Sequence, residues 1–125
     1  MVFNVATLAL DLANITVPED INLSVQDLVL NAGSLLTSTA GSVIINATGD
    51  LTVGVNSQLT AAVDIVLSTG GELVVSSGGT LEGVIVRLTS DASILLDNVT
   101  SITASDSLDL QAVNNVTVSV QNLLA

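Results

Sequence analysis

The sequence predicts an all-β protein: a single-stranded, right-handed parallel β-helix (β-solenoid) with about 22 residues and three strands per coil, five to six coils in all. Three observations predict it. A short phrase recurs, a polar residue followed by aliphatic-x-aliphatic, as in Asp50-Leu51-Thr52-Val53, Asp64-Ile65-Val66-Leu67, Glu72-Leu73-Val74-Val75 and Ser93-Ile94-Leu95-Leu96. The first aliphatics of these phrases fall into three interleaved series with one shared period. Apolar residues make up 49% of the chain, yet Phe3 is its single aromatic, so the core must be built from Val, Leu, Ile and Ala. Uniform aliphatic side chains of this kind stack on themselves from coil to coil.

The first series runs Ile21, Val43, Ile65, Val86, Leu108, in steps of 22, 22, 21 and 22 residues. The second runs Leu8, Leu28, Leu51, Leu73, Ile94, Val116, and the third Ile15, Leu35, Leu59, Leu81, Ile102, Leu123. Strand side chains alternate faces, so the first and third residues of each phrase point inward and the second outward. Inward pairs are then Ile21/Leu23 through Leu108/Leu110 on the first face and Leu28/Leu30 through Val116/Val118 on the second. On the third face the later inward position reads Val17, Thr37, Ala61, Gly83, Ala104 and Ala125, small residues placed where a short connection folds the chain back tightly. The other corners carry turn chemistry: Asn31-Ala32-Gly33-Ser34, Ser77-Gly78-Gly79, Thr69-Gly70-Gly71 and Asn46-Ala47-Thr48-Gly49-Asp50. The right hand follows from the general chirality of parallel crossovers.

A lone coil of this size cannot offset its conformational entropy, so stability must come from stacking and the terminal coils are the weak points. Residues 1–125 read as one domain with no obvious cap at either end. Leu8, Leu10, Leu123 and Leu124 are the candidate end-stacking residues.

Outward positions are free to carry function. They read Asn22, Ile44, Val66, Arg87, Asp109 on the first face and Val29, Thr52, Val74, Leu95, Thr117 on the second. The third face reads Thr16, Leu36, Thr60, Glu82, Thr103, Leu124, a row in which Leu36 and Glu82 interrupt the threonine array that ice binding would require. Val29, Ile44, Val66, Val74 and Leu95 are candidate assembly faces, since a flat apolar β surface more often marks a contact than bare solvent. Arg87 falls one coil from Asp109, which predicts an ion pair between neighbouring strands.

Twelve acidic residues and a single basic one give a net charge of -11, which disfavours nucleic acid and anionic membranes as partners. Asp27, Asp50 and Glu72 share one corner and Asp20 and Asp64 another. Such columns could hold calcium, but the GGxGxDxUx calcium-roll pattern is absent, and charged corners that discourage lateral sticking are the favoured reading. No metal or other cofactor is expected. With no His, no Cys and one Arg, an enzyme is not expected either. No apolar stretch reaches the 18 or more residues of a membrane-spanning helix, so membrane insertion is not expected. Asn-x-Ser/Thr triplets at Asn14, Asn22, Asn46, Asn98 and Asn115 are glycosylation acceptors in a secreting host; asparagines flanking strands in turns and ladders are the alternative, and the favoured one.

The stretches Gly49-Asp50-Leu51-Thr52-Val53-Gly54-Val55-Asn56-Ser57-Gln58-Leu59 and Gly70-Gly71-Glu72-Leu73-Val74-Val75-Ser76-Ser77-Gly78-Gly79-Thr80-Leu81 resemble the repeats of filamentous-haemagglutinin-type adhesins and autotransporter passengers. As a pattern the resemblance extends from about Leu8 to Leu123 and concerns architecture. Bactofilins, which polymerise end to end, are similar in size but have shorter coils. The expectation is an extracellular or cell-surface structural protein whose coils stack head to tail into a fibre, with self-association as the main partnership. The alternative is a segment of an adhesin shaft.

Overall fold

In the computed structural model, residues 2–10 and 14–124 are described, with side chains for 14–98 and 101–119. Among these residues every regular element is a strand: β1 (Val2–Leu10), β2 (Asn14–Val17), β3 (Ile21–Leu30), β4 (Leu35–Ser38), β5 (Val43–Ala47), β6 (Leu51–Val53), β7 (Gln58–Ala61), β8 (Asp64–Thr69), β9 (Leu73–Val75), β10 (Thr80–Ser90), β11 (Ile94–Ala112) and β12 (Val116–Leu124). All pairings are parallel. They sort the strands onto three faces. The first is β1-β3-β5-β8-β10-β11, the second β1-β3-β6-β9-β11-β12 and the third β2-β4-β7-β10-β11-β12. The long strands β1, β3, β10, β11 and β12 belong to more than one face because they run on through corners, with register shifts where β10 meets β11 and β11 meets β12. The fold is the β-solenoid the spacing predicts, with about 22 residues from one rung to the next.

The core follows the first two series as read from sequence. Ile21↔Val43↔Ile65↔Val86 and Leu28↔Leu51↔Leu73↔Ile94 are in register and essentially inaccessible to solvent, as are their partners two residues on. A further inward column closes the first face: Val25↔Ala47↔Thr69↔Ser90, in which two apolar residues give way to two hydroxyls. These hydroxyls are satisfied by the backbone of the neighbouring corner. Thr69 Oγ1 and Ser90 Oγ both donate to the Gly71 carbonyl, at 2.8 and 2.6 Å. Among the described residues no buried side-chain polar atom lacks a partner.

The third series needs one correction. Leu36, not Leu35, is the inward member, in register with Ile15 and Leu59 and fully buried, while Leu35 is half-exposed. Ser38 therefore takes the small inward position assigned to Thr37, donating to the Glu19 carbonyl at 2.8 Å and accepting the Gly41 amide at 2.9 Å. The requirement for a small residue survives the shift, since Ser38, Ala61, Gly83 and Ala104 are all buried. Thr37 moves outward, so the exterior row becomes Thr16↔Thr37↔Thr60↔Glu82↔Thr103.

The corner between the second and third faces repeats one backbone device. Gly33, Asn56, Gly78 and Asn98 have φ of 79°, 58°, 77° and 50°, and the amides of Gly33, Asn56 and Gly78 each bond to a carbonyl of the next coil's corner. Glycine adopts this left-handed region freely, and asparagine more readily than other residues with a Cβ. At Gly78 a Cβ would also collide with the Asn56 carboxamide beneath it. Gly78→Ala is therefore expected to destabilise the fold by about 1–3 kcal/mol, read as a lowered urea midpoint at unchanged slope.

Candidate functional site

The faces proposed for assembly separate into two columns. Val29, Val74 and Leu95 lie on the second face in the register Val29↔Thr52↔Val74↔Leu95, and Val29 and Leu95 are exposed. Ile44 and Val66 are register neighbours on the first face, between Asn22 and Arg87, and both are half-buried. The outer aliphatics thus form short strips of one to two rungs, broken by Asn, Thr or Arg. Val63 and Val84, in the tight corner between the third and first faces, are exposed too and stack through the bond from the Val84 amide to the Val63 carbonyl.

Arg87 pairs with Asp109 across β10 and β11, Nε to Oδ2 at 3.6 Å, with both side chains about half exposed. An exposed pair of that length contributes little stability.

The acidic corners are structural. Asp27 Oδ1 accepts the Asp50 amide and Asp50 Oδ1 the Glu72 amide, each at 2.9 Å. In the other corner Asp20 Oδ1 accepts the Ser42 amide at 2.8 Å, and Ser42 Oγ accepts the Asp64 amide at 3.2 Å. Each side chain caps a backbone N–H of the following coil that the strand ladder leaves unpaired where the chain bends. Among the described residues no group of three or more carboxylates is placed to hold a metal.

The five sequon asparagines are spread over the solenoid. Asn14, Asn46, Asn98 and Asn115 are exposed and Asn22 is half-buried. Asn98 belongs to the left-handed corner column, where its Nδ2 donates to Ser77 Oγ at 3.5 Å and its carbonyl accepts the Gly78 amide. Asn14 Oδ1 accepts the Thr16 hydroxyl at 3.3 Å. Asn46 stands in register between Ser24 and Ser68.

The end of the solenoid formed by β11 and β12 has a different surface. In the second face's inward columns, Leu30, Val53, Val75 and Leu96 are 0% exposed, whereas Val118, the next rung, is 46% exposed, and Val116 above Ile94 is 42% exposed. Leu108 and Leu110, the last rung of the first face, are only partly buried. Among the described residues no strand pairs with β12 beyond β11. Its core positions and its outer row of backbone groups are therefore both open. Neither Val116 nor Val118 was among the end-stacking residues expected from sequence. Of those, Leu8 and Leu10 are in register with Leu28 and Leu30, and Leu123 with Ile102, all in inward columns. Leu124 is in register with Thr103, in an outward row. The side chains of these four lie outside the described residues.

Comparison with family models, curated proteins and solved structures finds no match to this chain.

Proposed function

We propose that this chain is a structural protein whose coils stack end to end into a fibre at the cell surface or outside the cell, with the exposed aliphatic strips as secondary lateral contacts. The observation that carries this reading is the open rung of β12. Val116 and Val118 belong to columns that are dry from Leu28 and Leu30 to Ile94 and Leu96, and an edge strand with free N–H and C=O groups is a template for another parallel strand. Among the described residues each of the three faces carries six rungs, with β1 and β12 at opposite ends of the second face. A second copy seated on β12 therefore meets every face with the same face, Leu8 over Val116 and Leu10 over Val118. Such a contact continues the core and the ladder together, which is how solenoid repeats gain stability.

Charge sets the conditions. Each copy carries -11, so stacking is opposed at low ionic strength and favoured as salt shortens the Debye length from about 30 Å at 0.01 M to about 8 Å at 0.15 M. Sedimentation velocity and electron microscopy across a concentration series at both salts are expected to show rods that lengthen with protein and with salt. A monodisperse monomer throughout would overturn the reading.

The second reading, a segment of an adhesin shaft, is favoured by the unbroken register of the second face from β1 to β12. In that case further coils of the same chain cover β12.

A further inference from the structure

One outward column differs from all the others. On the first face, Ser24, Asn46, Ser68, Thr89 and Gln111 follow one another in register, one per coil, each a neutral hydrogen-bonding side chain. The remaining outward columns are interrupted by an aliphatic or a charge: Ile44, Val66 and Arg87 in one, Val29, Val74 and Leu95 in another, Glu82 in the third. Beside this column the chain turns toward the second face, and there the surface is hollowed. One depression of about 440 Å³ spans Asn46, Ser68 and Thr89 and is lined also by Thr48, Gly70 and Asp91. A second, of about 370 Å³, continues from Thr89 and Asp91 to Gln111 and Val113. The two share Thr89 and Asp91, and together their linings follow the column over four rungs, Asn46 to Gln111, as a shallow trough along the solenoid axis.

We infer that this trough binds a neutral, polyhydroxylated chain, an oligosaccharide lying parallel to the solenoid axis. Its floor offers amide and hydroxyl groups that both donate and accept, repeated at the roughly 4.8 Å rung spacing. Asn46, Ser68, Thr89 and Gln111 make no side-chain hydrogen bond among the described residues, so these groups are available to a ligand. The one charge in the trough is the Asp91 carboxylate, on a chain of net charge -11, which excludes a polyanion. The apolar side chains in the lining are Ala47, Ala112 and Val113, too few and too small for a lipid or an apolar peptide. A peptide strand cannot add by backbone pairing here, because β5, β8 and β10 are hydrogen-bonded on both sides. With no aromatic ring to stack on a sugar, binding rests on hydrogen bonds, and an affinity of about 1 mM is expected.

The test uses maltohexaose, cellohexaose and chitohexaose as probes, with a heparin-derived hexasaccharide as the anionic comparison, against the isotopically labelled 125-residue chain in low salt. Amide shifts on titration to tens of millimolar locate any contact. At least one neutral hexaose is expected to shift Asn46, Ser68, Thr89 and Gln111 as a group, and the anionic one to leave them unmoved. Thr89→Val keeps the side chain's shape and removes its hydroxyl, and Ser68→Ala removes another. Each is expected to weaken binding roughly fivefold while leaving the other amide shifts native. No response to any of the three neutral probes, shifts that map to another face, preference for the anionic probe, or binding unaffected by both substitutions would overturn the proposal. None of these readouts depends on whether the solenoid stacks into fibres.

Discussion

Leu51→Asp is expected to prevent the chain from folding as one unit, whereas Thr52→Asp, one residue along, is expected to leave the fold intact. Leu51 is fully buried in the second face's column, between Leu28 and Leu73. The substitution forfeits about 2–3 kcal/mol of apolar burial and places a carboxylate where its desolvation costs several kcal/mol more. No cation can answer it, since Arg87 is the chain's one basic residue and lies on the outside of the first face. Together these costs reach into the roughly 5–15 kcal/mol that hold an ordinary domain together. A solenoid has no alternative route around the defect, because each coil touches only its neighbours. Thr52 points outward and is half-buried, and an acidic residue there costs about 1 kcal/mol or less. Far-ultraviolet circular dichroism with limited proteolysis separates the two outcomes; equal tolerance of both substitutions would overturn the assignment of inside and outside.

The inside of this protein was readable because a solenoid writes its core into the sequence several times over. Ile21, Val43, Ile65 and Val86 are independent witnesses to one position, and a misreading in one coil is corrected by the next. The error at Leu35 shows the limit. Two consecutive leucines both satisfy an aliphatic pattern, and a slip of one residue exchanges the two faces. The spacing within the coil held the missing signal: from the second series to the third the interval is eight residues in Leu51 to Leu59, Leu73 to Leu81 and Ile94 to Ile102, and Leu28 plus eight is Leu36. The corner between the third and first faces varies in length, so the interval from the second face to the third is a better ruler than the whole-coil period.

The exterior was legible only in part, for a different reason. Which residues face outward follows from alternation, but what an outward residue does depends on its register neighbours and on the corner beside it. Asp27 and Asp50 look in sequence like potential cation ligands; the structure gives each of them a backbone amide one coil on. The pairing of Arg87 with Asp109 was legible because both lie within strands whose register the period fixes. The left-handed corner column was half legible: Gly33 and Gly78 signal a sharp turn, but Asn56 and Asn98 repeat the same conformation under a different residue type. The hollow beside Ser68 and Thr89 has no sequence signature, since it depends on which corner residues of successive coils come to lie beside that column.

Val118→Glu and Val75→Glu make the same chemical change in the same inward column, and opposite results are expected. Val75 is fully buried between Val53 and Leu96, so a carboxylate there meets the same penalties as at Leu51, and no folded protein is expected. Val118 occupies the next rung after Leu96, but 46% of its surface faces solvent, and the carboxylate can reach water. The monomer is therefore expected to keep its β-type circular dichroism and to lose only about 1 kcal/mol. What Val118→Glu should remove is growth. In a stack, the second copy's β1 would close over position 118 and bury the charge, a cost of several kcal/mol at every junction, or about a thousandfold or more in the association constant. Sedimentation at the higher salt is the decisive measurement. Rods from the parent chain and monomers from the folded Val118→Glu variant would establish β12 as the growing end. Undiminished rods from that variant would mean that the copies associate through their lateral strips, and that the open rung of β12 takes no part in assembly.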